Sequence, residues 1–221
     1  MQVSAPIAVL WLALVTLLAA PAQVPAHPDA AGVARLVQQK YDQVHDFKAD
    51  FVHTYQGGVL RKNLTERGVV QIKKPGRMRW EYKDPEEKLF VSDGHKMYSY
   101  VPADKQVIVS TVPQDDQAST AVLFLAGRGD LPRDFTASFA DAAAAGTWTL
   151  KLEPKVHQPE YDWLVLSVDR ATLQIRGLTA ADRQGTRSTF AFSNVKENVD
   201  MPDTLFTFKI PRGVDVIVAD R

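Results

Sequence analysis

The sequence predicts a mainly β fold with helices (α+β), arranged as an antiparallel meander behind one N-terminal helix. Three observations carry this. From Phe47 onward, apolar and polar residues alternate with period two through a succession of short segments. Those segments are separated by turn signals such as Lys74-Pro75-Gly76, Asp84-Pro85 and Ser92-Asp93-Gly94, with no room for crossover helices. Ahead of them, residues 30–45 carry the three-and-four spacing of an amphipathic helix.

In chain order, Ile7 to Ala20 is an uncharged apolar run of signal-peptide length, shorter than the roughly 20 residues that span a bilayer. Ala20-Pro21-Ala22 and Val24-Pro25-Ala26 are the small-residue sites, and cleavage after Ala26 is the expectation, although Met1 to Pro6 holds no Lys or Arg. Residues 27–221 then form one domain. Asp29 is a plausible N-cap for a helix from Ala30 to about His45, with Val33, Leu36, Val37, Tyr41 and Val44 on its apolar stripe. Phe47, Ala49, Phe51, His53 and Tyr55 share one face of the first strand, and Gly57-Gly58 makes the next turn. Gly68 to Lys74 follows, then a strand whose Met78, Trp80 and Tyr82 alternate with Arg77, Arg79 and Glu81. Lys88 to Ser92 and Lys96 to Val101 form a hairpin around Asp93-Gly94, where both positions tolerate positive φ. Further strands are expected at Val107–Val112, Thr147–Glu153, Trp163–Asp169, Leu173–Thr179, Arg187–Val195, Leu205–Ile210 and Val214–Val218.

One segment breaks the alternation. In Gln114 to Leu131, Ser119 and acidic residues precede the run Ala121-Val122-Leu123-Phe124-Leu125, and Gly127 stands where a helix would stop. Such a helix is apolar around its whole circumference, whereas a surface helix needs only a stripe. It is either buried on both sides or lies as a lid over an apolar cavity.

Composition narrows the function. The chain has no cysteine, which removes disulfides, thiolate metal sites, a Cys nucleophile and lipid attachment through a lipobox Cys. Lys+Arg and Asp+Glu both total 26, and a formal charge of zero argues against nucleic acid as a partner. The five histidines are scattered without an HExxH pair, so no metal site is expected. There is no GxSxG elbow and no phosphate-binding glycine loop, and Glu86-Glu87 and Asp115-Asp116 diverge as sequence neighbours. The chain is therefore read as a binding protein rather than an enzyme, without cofactor. What remains is large apolar surface on alternating strand positions: Phe51, Ile72, Met78, Trp80, Phe90, Tyr98, Tyr100, Trp148, Phe190, Phe192, Phe206 and Phe208. These side chains fill a sandwich core or line an incompletely closed barrel, and periodicity alone does not separate the two.

The run Lys74-Pro75-Gly76-Arg77-Met78-Arg79-Trp80-Glu81-Tyr82, followed by Val91-Ser92-Asp93-Gly94 and Tyr100-Val101-Pro102, resembles the outer-membrane lipoprotein carrier family LolA. Phe47-x-Ala49-x-Phe51 and Phe206-x-Phe208-x-x-Pro211-x-Gly213-Val214 extend the likeness nearly end to end. The resemblance implies a curved antiparallel half-open β-barrel, with an N-terminal helix and a helical lid covering an apolar cavity. It implies a periplasmic, monomeric chaperone that shelters lipoprotein acyl chains, receiving its cargo from the inner-membrane ABC transporter LolCDE and passing it to the outer-membrane receptor LolB. On that basis Phe51, Ile72, Met78, Trp80, Phe90, Tyr98, Tyr100, Trp148 and Phe190 are the expected cavity residues. Val122, Leu123, Phe124 and Leu125 are the lid. Which aromatics face inward depends on register, since a one-residue slip reverses the set.

The family's latch is an Arg bonded to the lid helix, and Lys74 stands in its place. A lysine has three donors but no planar fork, which implies a looser latch and an empty state that opens more readily. The alternative for Lys74 is an exposed strand-end lysine. His53 stands where the family commonly has Gln. The rival from another class is a half-barrel lipid- or lipoprotein-sensing regulatory domain of the cell envelope, which normally continues into a second domain.

Overall fold

The computed structural model describes residues 28–57, 63–112, 124–140 and 145–219. The signal segment with its cleavage site, Gly58, and Val122 and Leu123 of the lid lie outside those residues. Helix α1 (Ala30–Asp42) begins where the sequence places it, with the Asp29 carboxylate accepting from Gly32 N–H at 2.7 Å. It ends three residues early, because Val44 N–H already closes a turn onto Tyr41 O.

The strands are β1 (Asp46–Gln56), β2 (Asn63–Lys73), β3 (Arg77–Asp84), β4 (Lys88–Asp93), β5 (Lys96–Val101) and β6 (Gln106–Thr111). A four-residue helix α2 (Leu131–Asp134) leads into β7 (Phe135–Phe139), neither of which the alternation reveals. Then come β8 (Thr147–Pro154), β9 (Trp163–Asp169), β10 (Ile175–Ala181), β11 (Arg187–Glu197) and β12 (Asp215–Ala219). All twelve form one sheet in the order β12-β6-β5-β4-β3-β2-β1-β11-β10-β9-β8-β7. The sheet is open and curved, and its two terminal strands do not pair with each other. This is the half-open form rather than a sandwich.

Three expectations are corrected. The sheet is two meanders joined where β1 pairs with β11, and β12 runs parallel to β6, so the strands are not antiparallel throughout. Leu205–Ile210 is not a strand: Asp203–Phe206 is a 3-10 turn, and the chain through Phe208 crosses the outer face of the sheet. The buried Asp46 ties this crossing down, its two oxygens accepting from Val199 N–H at 2.7 Å and Met201 N–H at 2.8 Å. Leu173 has φ 57, which keeps it out of β10.

Helix α1 buries Val33, Ala34, Val37 and Tyr41 against the inner face of the sheet, while Leu36 stays exposed at the stripe's edge. The register carries apolar side chains across that face from strand to strand. Phe47, Ile72 and Met78 form one row, and Ala49, Val70, Trp80 and Phe90 the next. On the other side of β1, Phe190, Leu178, Leu166 and Leu150 continue the wall.

Candidate functional site

The inner face is a wall of interlocking rings. Phe51 meets Trp80, Tyr82 and Phe190 edge-on at centroid separations of 5.2, 4.8 and 6.1 Å. Trp80 lies 4.9 Å from Phe190 and 6.3 Å from Phe192, and Phe190 stacks on Phe192 at 6.4 Å. Such pairs add about 0.5–1.5 kcal/mol each beyond the area they bury. Room for the Phe51 ring comes from Gly68 on the neighbouring strand, where an added Cβ would lie 2.8 Å from Phe51 Cζ and overlap the Glu81 carbonyl.

Of the expected cavity residues, Phe51, Ile72, Met78, Trp80 and Phe190 are buried on the inner face. Phe90 is half-buried there beside Tyr82, at 5.5 Å. Trp148 points the same way at the far wing, stacked on Phe139 at 5.5 Å and covered by the Arg170 guanidinium at 4.1 Å. Tyr98 and Tyr100 do not belong to this wall. Their partners are Val91 and Leu89, which in turn pair with Arg79 and Glu81, so both tyrosines occupy the outer face. They pack on Phe208 at 5.4 and 5.8 Å, beside the buried Val91, Val107 and Phe206. The family-like Tyr100-Val101-Pro102 and Phe206-x-Phe208 motifs thus build a second, outer core under the C-terminal crossing. Tyr alternation within β5 gave no means of choosing between the faces. Leu150, Leu166 and Leu178 are inner-wall residues that only the register identifies, and the register also places Phe192 there.

The described end of the lid segment, Phe124 to Ala126, is completely buried, with Phe124 stacked on Tyr41 at 5.8 Å. Its carbonyls are held from two sides. The Tyr41 hydroxyl donates to Leu125 O, and Gly76 N–H donates to Ala126 O at 2.9 Å. Gly76 is itself fixed by the Ser92 hydroxyl, which donates to Gly76 O at 2.8 Å, so the Lys-Pro-Gly and Ser-Asp-Gly turns form one platform beneath the lid. Lys74 is neither exposed nor bonded to the lid among the described residues. Its ammonium donates to Tyr41 O on α1 and lies 3.6 Å from the Tyr41 ring centroid. Its stem fills the space under Gly127, where an added Cβ would lie 2.5 Å from Lys74 Cδ. Lys74 therefore sits between Tyr41 and Gly127 and packs against both. Burial pulls its pKa down to about 8 against the opposing pull of Asp42 and Glu197. Burial likewise pushes the Tyr41 phenol far above its usual range, keeping it a donor. A small cavity of about 160 Å³ remains beside this contact, between Gln38, Tyr41, Lys74, Phe124 and Gly129.

A polar cluster on the same inner face closes the opposite end of the wall. The buried Glu66 accepts from Lys88 Nζ at 2.8 Å and lies 3.4 Å from His53 Nδ1. The other His53 nitrogen faces the Ser188 hydroxyl at 2.9 Å, Tyr82 OH lies 3.3 Å from Nδ1, and the imidazole stacks on Phe190 at 4.1 Å. Burial lowers the His53 pKa more than Glu66 raises it. The sequence places His53 on this face but gives no sign that Glu66, Lys88 and Ser188 join it from three other strands. Among the described residues, ligand atoms of His45, Asp46 and Asp200 also come within 4.8 Å of one another. Both Asp46 oxygens there already serve backbone N–H groups, which gives that trio a tethering role.

The family model of the outer membrane lipoprotein carrier protein LolA matches residues 42–209 of this chain. The outer-membrane lipoprotein carrier protein of Dechloromonas aromatica (strain RCB) is 31% identical over 183 residues, covering 80% of this chain and 86% of that protein. Its counterpart in Chromohalobacter salexigens is 32% identical over 189 residues, covering 84% and 87%. Among solved structures, an uncharacterized conserved protein from Thermus thermophilus shares the fold with a TM-score of 0.53 at 12% identity, over 84% of this chain and 99% of that one.

Proposed function

This chain belongs to the LolA family of outer membrane lipoprotein carrier proteins, and we propose from that premise that it is a periplasmic chaperone for lipoproteins. Its task is to shelter acyl chains in water. Each buried CH₂ is worth about 0.8 kcal/mol, so several long chains cost tens of kcal/mol to expose. The observation that carries the reading is the continuous inner wall from Met78 through Trp80, Phe51 and Phe190 to Leu150, under a lid end held by a few hydrogen bonds. The wall is the acyl-chain surface. Phe124 and Leu125 cover it when it is empty. Opening breaks the bonds to Leu125 O and Ala126 O and exchanges lid contacts for lipid contacts of similar apolarity.

The role is binding and release, not catalysis. Lipoprotein acyl chains are the cargo, LolCDE in the inner membrane the donor and LolB in the outer membrane the acceptor. Nucleic acid has no part in it, and the carrier works as a monomer. The deciding experiment mixes the mature protein with membranes bearing LolCDE, ATP and a lipoprotein. A soluble complex of lipoprotein and carrier is the expected product, and lipoprotein that stays with the membranes in every case refutes the reading.

A further inference from the structure

Several buried polar side chains of the described residues are paired. Tyr41, Asp46, Glu66 and Ser92 each have their hydrogen bonds made. Trp80 is different. It is 3% exposed, and its indole N–H has no hydrogen-bond partner among the described residues. The rings packed around it, Phe51, Phe190 and Phe192, offer only carbon. Tyr82, two residues along the same strand, has its hydroxyl engaged with His53. A buried donor left unpaired is destabilising, and a phenylalanine would supply apolar ring surface there without that cost.

An unpaired donor in the middle of a lipid-binding wall has a use if the lipid brings the acceptor. A hydrocarbon tail carries none along its length. Its acceptor is the carbonyl oxygen of the ester or amide that joins the chain to the rest of the molecule. Building on the carrier reading, we infer that the Trp80 indole N–H donates to the acyl carbonyl of the bound lipid and so fixes how deeply the chain lies in the wall. Trp80 is thereby a specificity-determining residue that distinguishes an acylated ligand from an equally greasy one without a carbonyl. The hydrogen bond forms only with the ligand in place, so its whole value appears in binding and none in the closed, empty protein.

The test uses the mature protein and two probes that differ only in the carbonyl: monopalmitoylglycerol and its ether analogue 1-O-hexadecylglycerol. Calorimetry on the natural protein should show the ester bound roughly three- to tenfold more tightly, the value of one neutral hydrogen bond. Infrared spectra of carbonyl-labelled ester should show its stretch shifted to lower frequency on binding. In Trp80→Phe the ester-to-ether ratio should fall to about one and the shift should vanish. Benzothienylalanine placed at position 80, which keeps the bicyclic shape without the N–H, should behave the same way and covers the case in which Trp80→Phe folds poorly. A ratio near one in the natural protein, or a preference that survives loss of the N–H, overturns the inference while leaving the carrier reading intact. Failure of the natural protein to bind either probe overturns the carrier reading, and this inference with it.

Discussion

Replacing Tyr41 by Phe removes one oxygen atom from the lid contact and leaves its packing in place. The Phe124 stack at 5.8 Å is retained, and so is the stripe of α1. What is lost is the donor to Leu125 O, a carbonyl on a residue with no exposed surface. A buried acceptor stripped of its partner costs about 1–3 kcal/mol, which is about 5- to 150-fold in an opening equilibrium. The open form regains water at that carbonyl, so the cost falls on the closed form alone. Amide hydrogen exchange reads this directly, because Gly76 N–H bonds to Ala126 O and Gly127 N–H to Phe124 O. Both amides should exchange faster by about that factor in Tyr41→Phe, given that opening precedes exchange. Amides between β8 and β9 should keep their rates. Lys74→Arg is the companion variant: its fork can bond Tyr41 O and reach the lid together, and added protection at Gly127 is the expected result. Unchanged exchange at Gly76 and Gly127 in Tyr41→Phe refutes the assignment of Tyr41 as the residue holding the lid. An equal rise across the whole sheet refutes it as well, since that describes global destabilisation.

Other consequences follow from individual contacts. The folded pKa of Lys74 is about 8 against an unfolded value of 10.5, so between those limits the unfolded chain binds the extra proton. The Lys74 contribution to stability should therefore rise with pH from about 8 to 10.5, and denaturant melts of Lys74→Met should lack that rise. His53, faced by Glu66, Tyr82, Ser188 and Lys88, has a folded pKa below its ordinary 6.5. Stability should accordingly be lost as pH falls below 6.5, and His53→Gln should flatten the dependence in urea melts. Gly68→Ala puts a methyl group onto the Glu81 carbonyl and against the Phe51 ring, where overpacking costs about 1–3 kcal/mol. Its melting temperature should drop, and a variant as stable as the natural protein would show that β2 and β3 can separate there.

Local chemistry made much of this protein legible in its sequence. Period-two alternation, turn residues and a capped amphipathic stripe depend on neighbours within a few positions, so α1 and most strands can be read from the chain. The Lys74–Tyr82 and Val91–Gly94 motifs likewise named the family, because they encode one local platform of two turns. The aromatic content of β3 and β4 identified an apolar face for the same reason.

Side-chain destinations needed the third dimension. Tyr98 and Tyr100 alternate as regularly as Met78 and Trp80, yet the pairing of β4 with β5 turns them outward under Phe208. The parallel pairing of β12 with β6 is likewise a contact between distant segments that no local pattern encodes. Lys74 was recognisable as a latch position, but its bond to Tyr41 O on α1, and the bond from the Tyr41 hydroxyl to Leu125 O, arise from three segments meeting in space. The same holds for the isolated indole of Trp80 and for Glu66 beside His53. The sequence determined which segments are strands and which residues are greasy, since those properties belong to single residues and their neighbours. Only the tertiary structure decided which face each residue joined and which polar atom it met, because register and long-range packing are set by the sheet as a whole.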